Sequence, residues 1–181
     1  MNRAITALLF ALLIVAQPTL ADKKADIQEM RQEVLNRLYQ EAPETREEVA
    51  NSEGYAVFSN IGVNLIFVAA GGGSGVVRDN KSGADTYMKM GQAGVGLGLG
   101  VKDFRGVFVF HKRDALEKFI ESGWDFGAEA DAAAKSGEKG GEGSASGSLT
   151  KGVSIYQLTE AGLAIQASLM GTKYWKDDKL N

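Results

Sequence analysis

Gly94-Val95-Gly96-Leu97-Gly98-Leu99-Gly100-Val101 places glycine at every second position and a branched aliphatic residue at every position between. Period two is the side-chain period of a β-strand, so the glycines share one face and Val95, Leu97, Leu99 and Val101 the other. A glycine inside a strand costs about 0.5–1 kcal/mol relative to alanine. Four in register are affordable only where a helix, a second sheet, a curved neighbouring strand or a ligand approaches the bare backbone closely.

The residues on either side of this run read as further strands. Tyr55–Ser59, Val63–Ala70, Gly75–Arg78, Ala84–Met90 and Val107–His111 are short apolar runs split by glycine and polar turns. Asp79-Asn80-Lys81-Ser82-Gly83 has turn chemistry, and Gly91 suggests a bulge. Within Trp124–Ala134, Phe126 and the alanines at 128, 130, 132 and 134 alternate with polar residues or glycine, which favours a strand with very small inward residues over a helix. Val153–Leu158 and Leu163–Met170 form a last hairpin around Glu160-Ala161-Gly162, and Trp175 with the charged tail Lys176–Asn181 follows. Ser136–Ser148 is a Gly/Ser-rich loop. Many short strands joined by local turns indicate an antiparallel sheet.

Helices flank and interrupt the strands. Ile27, Met30, Val34 and Leu38 recur at spacings of three and four, which predicts a helix over residues 22–41 that Pro43 interrupts. Thr45-Arg46-Glu47-Glu48 fits a capping box for a second helix to about Asn51, closed by Gly54. Asp114 as N-cap, Glu117 three residues on, the apolar set Leu116, Phe119 and Ile120, and Gly123 beyond the end predict a third. The fold class is therefore α+β: a glycine-rich, strongly curved antiparallel or barrel-like sheet with N-terminal helices and one inserted helix.

The chain has 181 residues, which suits one domain. Arg3, the apolar run Ala4–Ala16 and the small residues of Pro18-Thr19-Leu20-Ala21 read as an export signal over residues 1–21, cleaved after Ala21. Residues 22–181 are then one domain, helical over 22–52 and β-rich over 53–176. Arg3 leaves with the signal, so 19 bases face 23 acids and the net charge moves from −3 to −4. That balance argues against nucleic acid as a partner. Without cysteine there is no disulfide and no lipidated N-terminal cysteine, so any membrane contact must come from the folded surface. A periplasmic location is expected in a Gram-negative cell.

Sites for chemistry are few. Gly71-Gly72-Gly73-Ser74-Gly75 lacks the spacing of a dinucleotide fingerprint, and no Gly-Lys-Ser/Thr follows to complete a phosphate loop. His111 is the only histidine and reads as structural. Asp125, Glu129 and Asp131 resemble an acid pair or a cation site but read better as a solvated outer face. One histidine and no cysteine argue against structural zinc, and no cofactor or metal is expected. Residues 22–41 hold Lys23, Lys24, Arg31 and Arg37 against Asp22, Asp26, Glu29, Glu33 and Glu41, so the helix can pack on the sheet or lie on a membrane. Lys173-Tyr174-Trp175-Lys176 is a short aromatic and basic stretch suited to an interface.

Four segments, in order, resemble the SYLF family: Gly54–Val77, Gly91–Phe110, Phe126–Ala134 and Ile155–Tyr174. The place where members often carry a Trp-Ser-x-Pro-like segment holds Asp85–Met90 instead. The resemblance implies a glycine-rich β-fold with peripheral helices, phospholipid as the ligand, and no enzymatic activity. It also implies lipid contact through an N-terminal amphipathic segment, here matching Lys23, Lys24, Arg31 and Arg37. The alternative is a structural or protein-interaction module of the envelope without direct lipid binding. Gly94, Gly96, Gly98 and Gly100 are assigned to backbone packing, because Phe126–Ala134 offers a second nearly bare face to meet them.

Overall fold

A computed structural model describes residues 19–60, 72–92, 104–125, 152–159, 162–165 and 172–181. The expected strands Val63–Ala70 and Gly94–Val101, the segment from Phe126 to Ala134, the Ser136–Ser148 loop and most of the export signal lie outside the described residues.

The first helix, α1, spans Leu20–Glu41, two residues more than its apolar period predicts. Thr19 caps it: the Asp22 amide donates to Thr19 Oγ1 and the Thr19 amide donates back to the Asp22 carboxylate. The predicted stripe of Ile27, Met30, Val34 and Leu38 is buried as expected. The second helix, α2, spans Thr45–Asn51, but its expected capping box is not formed. Glu44 is the N-cap, and Thr45 Oγ1 donates to the Ala42 carbonyl at 2.6 Å. The reason is the turn at Pro43, whose carbonyls already satisfy the first amides: Thr45 N donates to Ala42 and Arg46 N to Pro43. Nor does Gly54 close α2. Ser52 does, in extended backbone, and Gly54 opens the first strand.

Among the described residues, eight strands form one antiparallel sheet: β1 (Gly54–Ser59), β2 (Gly72–Asp79), β3 (Asp85–Gln92), β4 (Arg105–Phe110), β5 (Trp124–Asp125), β6 (Val153–Thr159), β7 (Gly162–Ile165) and β8 (Thr172–Lys176). Their order is β5-β8-β3-β2-β1-β4-β6-β7. Seven strands have four or more residues and curl strongly into a half-barrel; β5 adds two residues at one edge. Asp79 Oδ1 accepts from the amides of Lys81 and Ser82, which builds the expected turn between β2 and β3. The bulge expected near Gly91 does not fall on Gly91 itself, which pairs in register with Gly72 on one side and Lys173 on the other; residues 93–103 lie outside the described residues. The tail is also more ordered than its composition suggests. Thr172–Lys176 is a strand between β3 and β5, and Tyr174 is fully buried.

Strand alternation gives the sheet two apolar faces, and each is covered. On one face, α1 and α2 pack Ile27, Met30, Val34, Leu38 and Val49 on Val57, Val76, Val107, Val109 and Leu158. On the other lies α3 (Arg113–Ser122), whose Leu116 and Phe119 meet Phe58, Phe108, Phe110, Trp124 and Tyr174. Lys112, not Asp114, caps α3, and Asp114 sits in its first turn, accepting from the Ala115 amide. Arg113 sets that start: it holds Asp79 of β2 at 2.8 Å and takes Glu117 at 2.7 Å, so Glu117 is not available for a box. Gly123 ends α3 at φ +67°, where a Cβ would stand 1.9 Å from the Tyr174 carbonyl oxygen, so only glycine fits.

Candidate functional site

Where α1 crosses the β2–β3 hairpin, charged side chains from three elements converge. Lys24, Gln28 and Arg31 lie on one flank of the helix at spacings of four and three. On β3, Asp85, Tyr87, Lys89 and Gly91 alternate toward that same face of the sheet, and on β2 so does Arg78. The Asp85 carboxylate is the hub. Arg78 Nε donates to Oδ1 at 2.9 Å, Arg31 Nη1 to Oδ1 at 3.2 Å and Gln28 Nε2 to Oδ2 at 2.9 Å. Gln28 also donates to the Tyr87 hydroxyl at 2.9 Å, and Lys24 Nζ lies 5.1 Å from the centre of the Tyr87 ring. Two guanidinium groups thus share one carboxylate, with the Lys24 ammonium over the neighbouring Tyr87 ring.

The same face continues from β3 onto β8. Lys89 pairs in register with Trp175, and Gly91 with Lys173. Lys89 Nζ meets Asp177 at 3.0 Å and Lys173 Nζ meets Asp125 at 3.3 Å. Trp175 is 38 % exposed, and its ring edge rests over Gly91, where a Cβ would come within 3.0 Å of Cη2. The chain end buttresses this corner. Asn181 Oδ1 accepts from the Tyr87 amide, and Asn181 Nδ2 donates to the Tyr87 carbonyl.

A second polar cluster joins α2 to β4 and β6. His111 Nε2 lies 2.8 Å from Ser154 Oγ and 3.1 Å from Glu48 Oε1, and the Tyr156 hydroxyl donates to Glu48 Oε2. Burial, then Glu48, pushes the Tyr156 phenol up to about 12. Serine, histidine and acid are all present, yet one nitrogen faces both partners. A nucleophilic triad needs the two ring nitrogens divided between base and orienting acid, so this arrangement cannot relay a proton from Ser154 to Glu48. Asp125 of the acidic set pairs with Lys173, while Glu129 and Asp131 lie outside the described residues. Gly72–Gly75 lies within β2 and forms no phosphate loop.

Residues 91–181 match the Ysc84 family, described as "Las17-binding protein actin regulator". This chain belongs to the Ysc84, or SYLF, family. It is also 33% identical over 166 residues to Beta cell expansion factor A of Aeromonas veronii, an alignment that takes in 90% of this chain. The chain spans about 60% of that relative's length.

In this Ysc84-family chain, the four bases singled out by sequence divide in two ways. Lys24 and Arg31 join the cluster around Asp85, and Arg31 is 8 % exposed. Lys23 is exposed, and Arg37 pairs with Glu41 one turn on at 2.9 Å. Gly94, Gly96, Gly98 and Gly100 lie outside the described residues. Sequence reading missed Arg78 and Asp85 as neighbours of the helix, and Lys89 and Trp175 as neighbours of each other on the same sheet face. The one available signal was the alternation of β3, which sets Asp85, Tyr87 and Lys89 on one face.

Proposed function

We propose that this protein is an exported, non-enzymatic phospholipid-binding protein of the cell envelope, periplasmic in a Gram-negative cell, that meets anionic headgroups through the strip running from Lys24 to Arg78. The observation that carries this reading is the excess of cations at Asp85. Arg31 and Arg78 saturate a single carboxylate, and Lys24 beside them has an aromatic ring rather than an acid as its partner. Guanidinium and ammonium groups held this way offer donors of the kind that phosphate oxygens accept. Membership of a family whose resemblance implies phospholipid binding supports the same assignment. So does the geometry of His111, which argues against a hydrolytic centre there. No helix among the described residues is long and apolar enough to cross a membrane.

The family description favours a second reading, in which the same charged strip meets a protein, as the Las17-binding members do. Co-sedimentation of the protein with vesicles of phosphatidylcholine alone, or mixed with phosphatidylglycerol, separates the two. The lipid reading expects binding that rises with the anionic fraction and falls at least tenfold in a Lys23→Glu/Lys24→Glu variant. Failure to bind either composition would remove it.

A further inference from the structure

Two large apolar side chains are exposed among the described residues, Leu20 and Trp175. Leu20 belongs to the segment expected to leave with the export signal. Trp175 belongs to the folded sheet, and its setting is unusual for a surface tryptophan. Its register partner is Lys89, it shares its face with Lys173, and it lies over the bare backbone of Gly91. Its strand neighbour Tyr174 points the other way, into the aromatic core. The indole is therefore held by rigid strands on a side-chain-free floor, with lysines on both flanks.

The five bases on this face (Lys24, Arg31, Arg78, Lys89 and Lys173) outnumber the three acids that contact them, Asp85, Asp125 and Asp177. Tryptophan partitions to the boundary between headgroups and acyl chains, because its ring is apolar and its N–H still finds a polar partner there. Lysine stems lie along apolar surface while the ammonium stays with phosphate. Apolar burial and attraction to anionic lipid add together in surface binding. A lone apolar ring among cations, beside the cluster at Asp85, matches that division of labour.

We propose that Trp175 is a membrane anchor, seated at the headgroup level of an anionic phospholipid surface with Lys89 and Lys173 on the surrounding phosphates. This rests on the lipid reading above and adds a second contact point to it, on β8 rather than on α1.

The chain contains two tryptophans, and the other, Trp124, is 5 % exposed in the core, so a change in emission reports on Trp175. The protein is titrated with phosphatidylcholine vesicles containing phosphatidylglycerol, with and without brominated acyl chains. The expected result is a blue shift and bromine quenching that disappear in Trp175→Phe, together with about tenfold weaker co-sedimentation of Trp175→Ala. If Trp175→Ala does not fold, bromine quenching of the unaltered protein against Trp175→Phe decides alone. Vesicle binding with the emission unmoved would overturn the anchor and leave the lipid reading standing. Absence of vesicle binding would overturn both.

Discussion

Asp79 ties the β2–β3 turn to α3. Its Oδ1 orders the turn amides, and its Oδ2 takes the Arg113 guanidinium at 2.8 Å. Arg113, together with the turn amides, holds the carboxyl well below the usual carboxylate range despite the cost of burial. A depressed folded pKa stabilises the native state above the unfolded carboxyl value, and the benefit fades as pH falls toward the folded value. Asp79→Asn should therefore cost about 1.5–3 kcal/mol at pH 7, the range for a hydrogen bond to a charged group. Urea denaturation of both proteins should show the gap closing below about pH 4. A gap that stays constant down to pH 2 would mean that the charge on Asp79 contributes nothing. Gly75 shows the same economy in apolar form. It lies opposite Phe58, and a Cβ there would fall 2.2 Å from the Phe58 ring, so a missing side chain makes room for a core aromatic. Gly106, the other register partner of Phe58, lies against the Phe104 ring in the same way. This is the close approach that the alternating glycines at 94–100 were expected to serve, seen on other strands.

At the scale of elements, Phe119 is the side chain that places α3 in the aromatic core. Phe119 meets Phe58, Phe108, Phe110, Trp124 and Tyr174 with ring centroids 4.8–6.0 Å apart. Phe119→Ala should cost about 3–5 kcal/mol, read as a lower denaturation midpoint in urea. A loss below about 1 kcal/mol would show that the aromatic cluster closes over the gap. The helix bodies were legible in sequence because burial of one stripe imposes a 3.6-residue period that no other element shares. Ile27, Met30, Val34 and Leu38 all lie where that period placed them. The caps of α2 and α3 were not legible, because distant or turn partners decided them. Ala42 and Pro43 carbonyls satisfied the first amides of α2, and Asp79 fixed the start of α3. Strand β8 escaped for a related reason. Its inward residues are only Thr172 and Tyr174, one of them polar, and two such positions are too short a pattern to reveal a strand.

The described residues form a sheet between two helical layers, with the Asp85 and His111 clusters on the α1–α2 side. Its net charge is −3, so bulk attraction cannot draw it to an anionic surface. The proposed binding would have to come from the local excess of bases along β3 and α1. Such an interaction is screened over about 10 Å at 0.1 M salt. Vesicle association should accordingly weaken severalfold between about 0.05 and 0.5 M salt and persist in part through the apolar contact. Salt-independent binding in a flotation assay would show that charge plays no part. The bases near the helix were visible in sequence, yet their grouping was not. Arg31, Arg78 and Asp85 meet, and Lys24 reaches the Tyr87 ring, only because the β2–β3 hairpin passes under the helix.

Strand order has a consequence in time. Strand β8 lies between β3 and β5, although more than 45 residues separate it from either in the chain. On the ribosome, β3 and β5 emerge long before the strand that joins them. Until Thr172–Lys176 has been made, one side of β3 has no partner and Tyr174 is missing from the aromatic cluster. The sheet is therefore completed late, after β8 emerges. Under the export proposed above, that delay would favour a translocation-competent state over premature folding.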